Sequence, residues 1–202
     1  MADKIKIFVV DTSPLITLAA AQSLDYLTYV EGAQLVIPDA VFYEATHDAS
    51  KLGAADILEW VKANRQNIEI APTNAFTIFQ TAQQVNPRIR QPNLGEQAAD
   101  EVIEEPGRLG PGERAVLLCE ESAVLKRITV RDASLIIELS TMDFLRILEA
   151  EQRIQSAQAV YELAIQAGRT PSSVEQLAAH EKDVRDTLAE LVRPRPDSGP
   201  KR

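Results

Sequence analysis

The chain has few of the residues on which disulfide-stapled, zinc-binding and membrane-spanning proteins depend. Its 202 residues include one cysteine and two histidines. Cys119 therefore has no internal disulfide partner, and no Cys/His set favours zinc. No apolar run approaches the roughly 20 residues that cross a bilayer, and the first run, Ile7–Val10, is too short for a signal peptide. We expect a cytoplasmic protein, in a reducing compartment and without membrane contact.

Positive charge and aromatic residues are also scarce. The formal net charge is −9 and aromatic residues make up 5% of the chain, so Leu, Ala, Ile and Val must build the core. The negative charge argues against a protein that coats nucleic acid by neutralising its phosphates. It does not exclude an enzyme that cuts nucleic acid, because clustered carboxylates that hold a metal invert the local sign.

Short apolar runs alternate with amphipathic segments, which predicts an α/β fold. We expect a parallel five-stranded sheet sandwiched between helices, with extra C-terminal helices. The predicted organisation is a domain over 1–153, a helical extension over 154–192 and a disordered tail over 193–202. Strands are predicted at Ile5–Asp11, Gln34–Ile37, Ile68–Ala71, Ala115–Cys119 and Leu135–Leu139. Helices are predicted at Pro14–Tyr29 with Ser13 as N-cap, Ala40–His47 with Asp39 as N-cap, Ala54–Asn64, Asn74–Val85, Glu96–Glu104, Ser122–Val130, Phe144–Arg153, Ser156–Ala167 and Ser173–Leu191.

The segment around residues 113–130 has a second interpretation. Glu113–Glu121 would be a helix and Ile128–Val130 the fourth strand. Only about four residues would then join that strand to the next, whereas a parallel pair needs a crossover of about a dozen or more. The strand Ala115–Cys119 is therefore preferred.

Acidic residues are placed where the predicted strands end. Asp11 closes the first strand, Glu120 and Glu121 follow the fourth, and Glu96 and Asp100 lie one turn apart on the helix before it. In an open parallel sheet, ligands gather at the carboxyl ends of the strands. Carboxylates delivered to one edge repel one another unless a cation lies between them. The pattern predicts a divalent-metal site.

A further carboxylate, Glu44, lies on the helix that follows the second strand, near the same edge. Oxygen ligands of this kind suit Mg²⁺ or Mn²⁺. A metal held there lowers the pKa of bound water and stabilises charge on a phosphoryl oxygen. Thr12 is placed to orient a carboxylate or a water through its hydroxyl.

Several of these motifs, in this order, resemble those of PIN-domain ribonucleases. Val-Val-Asp11-Thr12-Ser-Pro-Leu-Ile looks like the opening motif of that family, and Ile-Pro-Asp-Ala-Val-Phe-Tyr-Glu44 like its second acidic segment. Leu-Gly-Glu96-Gln-Ala-Ala-Asp100 is similar to the third. Segments 117–121 and 139–145 resemble the strand that ends in an acid and the piece that closes the fold, so the resemblance covers about residues 5–153.

The resemblance implies metal-dependent hydrolysis of RNA phosphodiester bonds, often by the toxin of a toxin–antitoxin pair. Asp11, Glu96 and Glu120 or Glu121 would hold the Mg²⁺ or Mn²⁺, and Glu44 and Asp100 would complete the acidic cluster. RNA is the expected substrate. An antitoxin protein and a second copy of the chain are the candidate partners.

Two features depart from the family pattern, and two other functions remain as rivals. Glu stands at the fourth position where the family usually has Asp, and Glu113 with Asp132 is a rival assignment for the later acids. A catalytically silent interaction module would instead use the helix 173–191 and the basic tail. A haloacid-dehalogenase-type phosphatase is disfavoured, because its second Asp is replaced by Ser13.

Overall fold

The computed structural model describes residues 4–120 and 136–170, together with Ala189 and Val192. Strands and helices alternate through most of this part of the chain. The strands are β1 Lys4–Val10, β2 Gln34–Pro38, β3 Ile68–Ala71, β4 Glu113–Leu118 and β5 Ile136–Leu139. The helices are α1 Thr12–Ala20, a 3-10 helix Leu24–Tyr29, α2 Asp39–Thr46, α3 Ala54–Ala63, α4 Asn74–Val85, α5 Leu94–Glu104, α6 Thr141–Ala150 and α7 Ala157–Gln166.

The five strands form one parallel sheet in the order β3-β2-β1-β4-β5. This confirms the predicted fold class. The chain builds one half of the sheet from β1 towards β3 and then crosses to β4 on the other side of β1. The direction of winding changes between β1 and β4, and the crevice outside their carboxyl ends is where an open α/β sheet usually binds its ligand.

From Ile7 to Val10 both faces of β1 are buried, which explains the continuous apolar sequence of this part of the strand. Phe8 and Val10 face the larger core, which they share with α1, α3, α6 and α7. Ile7 and Val9 face a smaller core that contains Val102 of α5. The sheet therefore has helices on both faces. Packing of these helices on the two faces fixes the position of β1, including its carboxyl end.

β4 is a strand, so the preferred interpretation of residues 115–119 is confirmed and a helix over 113–121 is wrong. Its apolar side chains are buried on both sides of the sheet, as the parallel pairing with β1 and β5 requires. The predicted crossover helix 122–130 lies outside the described residues. The helix predicted over 173–191, apart from Ala189, and the tail 193–202 lie outside them as well, and the domain boundaries stay predictions.

The predicted long helix Pro14–Tyr29 is wrong, because α1 ends at Ala20. Gln22 takes a left-handed backbone conformation with φ of 54°, and the amide of Ser23 donates to the carbonyl of Leu18. This closes the helix in the way that a glycine usually does. The predicted cap is also wrong: the N-cap is Asp11, two residues earlier than expected, and Ser13 lies inside the helix.

Three other helix starts differ from the prediction. Asp39 lies in the first turn of α2 instead of capping it, and its Oδ1 accepts from the amide of Ala40 and the hydroxyl of Thr73. α5 begins at Leu94, two residues early, after Asn93 in a left-handed conformation. α6 begins at Thr141 because Ser140 caps it, accepting from the amide of Asp143.

No helix in residues 4–120 or 136–170 is long and apolar enough to cross a membrane.

Gly53 provides a test of how closely α1 and α3 approach each other. Its φ is 77°, and a Cβ there would lie 2.7 Å from Cβ of Ala19. We expect Gly53→Ala to lower the free energy of unfolding by about 2 kcal/mol, since this overlap adds to the backbone cost of a left-handed alanine. Gly107→Ala is the control, because Gly107 has φ of 83° and open space around it. Urea denaturation that shows equal losses for the two variants would contradict the close approach.

Candidate functional site

The candidate site lies at the carboxyl edge of the sheet, where β1 and β4 end side by side. Val10 pairs with Leu118, and the amide of Asp11 donates to the carbonyl of Leu118 at 3.0 Å. Asp11 and Glu120 therefore follow neighbouring strands by one and two residues. The parallel register delivers both acids to the crevice between the strands.

Gly95 of α5 lies against the carboxylates of Glu44 and Asp11. A Cβ at this position would lie 2.8 Å from Oε2 of Glu44 and 3.3 Å from Oδ1 of Asp11. The carboxylates thus meet at a gap that exists because residue 95 has no side chain. Three elements far apart in sequence, namely the end of β1, α2 and the first turn of α5, supply the walls of this gap.

Thr12 fixes the orientation of Glu44. Its hydroxyl donates to Oε2 of Glu44 at 2.9 Å, which leaves Oε1 of the same carboxylate for other contacts. Thr12 is the first residue of α1 and follows Asp11 directly, so the helix start holds one carboxylate and orients a second. The side chains of Asp11, Thr12 and Glu44 are all partly buried.

Glu96 follows Gly95 in the first turn of α5, and its Oε2 is buried. The positive end of the helix dipole favours a carboxylate there. Asp100 lies one turn further along the same helix and is partly buried. Glu96 is thus the residue next to Gly95, which borders the gap, and Asp100 lies one helical turn further on.

The pKa of the Cys119 thiol is affected by the negative charges at this edge of the sheet. Its pKa is raised well above the ordinary value, first by burial and then by the negative charges of Glu138, Asp11, Glu96 and Glu120. Carboxylates from β1, α5, β4 and β5 are thus close enough to act on one buried atom. The thiol stays protonated at neutral pH and serves as a small core side chain.

Glu120 is held in a different way from the other acids. It is 6% exposed, and its Oε1 accepts from the hydroxyls of Thr17 and Thr141, each at 2.8 Å. Its Oε2 accepts from Nη2 of Arg169 at 3.2 Å. Arg169 also donates from Nε to the hydroxyl of Thr17 at 3.0 Å and lies near the carbonyl of Ser13. The charge of Glu120 is therefore compensated by a residue that follows α7.

Arg169 should contribute measurably to stability. We expect Arg169→Gln to lower the free energy of unfolding by about 2 kcal/mol, less than the roughly 3–5 kcal/mol for a fully buried pair, because its side chain is 21% exposed. The double variant Arg169→Gln with Glu120→Gln should recover more than half of that loss, since no buried carboxylate is left without its cation. Urea denaturation of the four proteins measures the coupling. Additive losses would show that the contact stabilises nothing.

Not all of the predicted acids lie at this edge. Glu113 is at the opposite end of β4, where it pairs with the register position of Lys4, accepts from the amide of Gly110 and contacts Lys6. The rival role for Glu113 beside the other acids is therefore excluded by position. Glu121 and Asp132 lie outside the described residues.

The oxygens at this edge suit a hard divalent cation only in part. Asp11 and Glu44 supply carboxylates at the gap beside Gly95, and Glu96 follows Gly95 in the chain; Mg²⁺ and Mn²⁺ prefer such ligands. However, within the described ranges no three Asp, Glu, His or Cys side chains are spaced to hold an ion. The carboxylates would have to move closer together to coordinate a metal ion. Glu120 does not fit as a ligand in this arrangement, because both of its oxygens are already hydrogen-bonded.

Several residues of the site were not predicted from the sequence. In the sequence Gly95 is distinguished only as part of the Leu-Gly-Glu motif, and Thr17, Thr141 and Glu138 have no distinguishing pattern. Arg169 lies 49 residues from Glu120 in sequence. Because the contact joins residues so far apart, no local spacing could have indicated it.

Comparison with known proteins identifies the family of this chain. A family model described as a PIN domain matches residues 7–123, which is more than half of the chain. The search of curated proteins found no match to this chain. The matched region runs from β1 past the end of β4 and includes Asp11, Glu44, Glu96 and Glu120. PIN domains are in general nucleases and typically use divalent metals. With this match and its five-stranded parallel sheet, the chain belongs to the PIN-domain family.

Proposed function

We propose that the protein is a Mg²⁺- or Mn²⁺-dependent ribonuclease that hydrolyses RNA phosphodiester bonds. The observation that supports this most directly is the approach of Asp11 and Glu44 to one another at Gly95, next to Glu96 at the winding change of the sheet. The carboxylates meet at the position where α/β enzymes bind their ligands. Their donor chemistry matches the metals that the family typically uses.

In this proposal Asp11, Glu44 and Glu96 hold the metal. The bound ion would activate a water and neutralise charge that develops on the phosphoryl group. Thr12 keeps Glu44 in one rotamer, so the entropy of fixing that carboxylate is already lost before the ion binds. Glu120, whose charge Arg169 compensates, acts as a positioning residue that ties α1 and α6 to the end of β4. Glu121 and Asp100 are proposed as further members of the acidic cluster.

Metal-dependent cleavage is the direct test. Purified protein is incubated with a fluorescently labelled single-stranded RNA after dialysis against EDTA, and Mn²⁺ or Mg²⁺ is then added back. We expect no cleavage in EDTA and cleavage with either ion. Cleavage that persists in EDTA would refute the metal mechanism, and the absence of cleavage with both ions would refute the ribonuclease.

A role as the toxin of a toxin–antitoxin pair is a finer proposal, supported by the family resemblance. Such an enzyme should arrest growth when it is expressed without a protein partner, because it would degrade cellular RNA. Induced expression in a bacterial host measures this. Normal growth with active, soluble enzyme present would contradict the toxin role and leave the nuclease in place.

A catalytically silent PIN-like interaction module is the second candidate. It is favoured by Glu120, which is hydrogen-bonded to Thr17, Thr141 and Arg169 instead of pointing into an open site. Calorimetric titration with Mn²⁺ separates the two candidates. A silent module should show no specific binding, whereas the nuclease should bind Mn²⁺ and lose that binding when Asp11 is replaced.

A further inference from the structure

A cavity of about 620 Å³ opens beside Glu44. Its volume is within the range of roughly 300–1,000 Å³ that is usual for ligand sites. The walls come from α2, α4, the loop after α4 and the start of α5. The lining residues include Tyr43, Glu44, His47, Phe79 and Leu94. Because Leu94 lines the cavity and Gly95 touches Asp11 and Glu44, the cavity and the acidic gap are one residue apart on the chain.

One wall of the cavity is aromatic. The rings of Tyr43 and His47 stack with centroids 4.6 Å apart and an angle of 16°, and Phe79 meets Tyr43 edge to face at 6.0 Å. Gln83 donates to the hydroxyl of Tyr43, which fixes that ring. His47 is exposed, so its ring has a surface open to a further planar group. Such rings form the platforms on which unpaired bases stack.

The rim of the cavity is positively charged, although the chain as a whole carries a net charge of −9. Lys51, Arg88 and Arg90 line it and are exposed. Within the described residues, none of these three cations forms an ion pair with a carboxylate. Glu44, on the border with the acidic gap, is the one acidic residue of the lining. Exposed cations grouped near a carboxylate-rich edge attract a polyanion to a specific place.

We propose that this cavity binds a nucleotide of single-stranded RNA next to the phosphate that is cleaved. A base would stack on the wall formed by Tyr43 and His47, and Arg88, Arg90 and Lys51 would contact the flanking phosphates. Only an unpaired strand can present the face of a base in this way. The proposal rests on the ribonuclease function, since it assigns the substrate route into that site.

The rim is tested by binding, without cleavage. A 5′-labelled hexaribonucleotide is titrated with protein in EDTA at low salt, and binding is followed by fluorescence anisotropy. We expect the double variant Arg88→Gln with Arg90→Gln to bind at least about tenfold more weakly, with a shallower dependence on salt, because phosphate contacts are lost. Lys62→Gln with Arg65→Gln is the matched control: these exposed cations on and after α3 change the net charge equally but do not line the cavity.

The stacking wall is tested by His47→Ala, which should weaken binding of the same RNA by about tenfold and leave the salt dependence unchanged.

The proposal would be overturned if these variants lost no more RNA affinity than the control does, or if a duplex of the same sequence bound equally well. No RNA binding by the wild type would also overturn it and would leave the cavity to a protein partner. Because EDTA removes the metal, these results do not depend on cleavage. Cleavage by the rim variants at the wild-type rate with unchanged binding would refute the cavity while the ribonuclease stands.

Discussion

Replacing Asp11 with Asn should abolish RNA cleavage and leave the fold intact. The substitution keeps the shape of the side chain and removes the charge that faces Glu44 across Gly95. We expect cleavage to fall by at least about a thousandfold, because a metal ligand is lost from the site. Folding should not suffer: Asp11 is the N-cap of α1, but its side chain makes no capping hydrogen bond, so asparagine can take its place.

The measurement is the rate of RNA cleavage in Mn²⁺, with thermal unfolding recorded on the same samples. Asp56→Asn is the matched control, because Asp56 is an exposed acid of α3 and the substitution changes charge and volume equally. Its cleavage rate should equal that of the wild type. Cleavage by the Asp11 variant within tenfold of the wild type would contradict the assigned site.

Replacing Gly95 with Ala should separate metal binding from stability. Alanine is favoured over glycine in a helix by up to about 1 kcal/mol. This gain offsets the cost of crowding Val41, whose Cγ2 would lie 3.2 Å from the new Cβ, and of the lost Thr12 hydrogen bond, so the unfolding temperature should change little. Its Cβ would enter the gap between Glu44 and Asp11, where the separations are 2.8 and 3.3 Å. Glu44 would have to move and would lose its hydrogen bond to Thr12. We expect Mn²⁺ affinity to fall by about a hundredfold, as when a coordination geometry is disturbed.

Calorimetric titration with Mn²⁺ measures this effect. Gly110→Ala is the control, since a Cβ there meets only atoms of Glu113 at ordinary contact distance, at the other end of the sheet. That variant should bind Mn²⁺ as the wild type does. If Gly95→Ala binds Mn²⁺ within about threefold of the wild type, the ion does not lie between these two carboxylates.

The strands and the edge of the acidic site were accessible from the sequence because each depends on local pattern. A strand buried on both faces must be a continuous apolar run, and the acid that follows it must lie at the carboxyl edge. Asp11 and Glu120 were placed on this basis. β3 and α4 were predicted with the bounds that the structure shows.

The remaining features depend on contacts that no short window contains. The end of α1 was missed because Gln22, not a glycine, adopts the left-handed conformation that stops the helix. The neutralisation of Glu120 was missed because its cation comes from beyond α7. Gly95 illustrates a third reason: its role follows from what a side chain would touch, and only a folded structure shows this.

The contacts of Arg169 bear on how far the chain can be shortened. The family match stops at residue 123, yet the side chain that neutralises Glu120 is supplied 46 residues later, after α7. A fragment trimmed to the matched region would lose Thr141 and Arg169 together, and the carboxylate of Glu120 would keep only one of its three hydrogen-bond donors, Thr17. We therefore expect the shortest fragment that folds on its own to extend at least to residue 169.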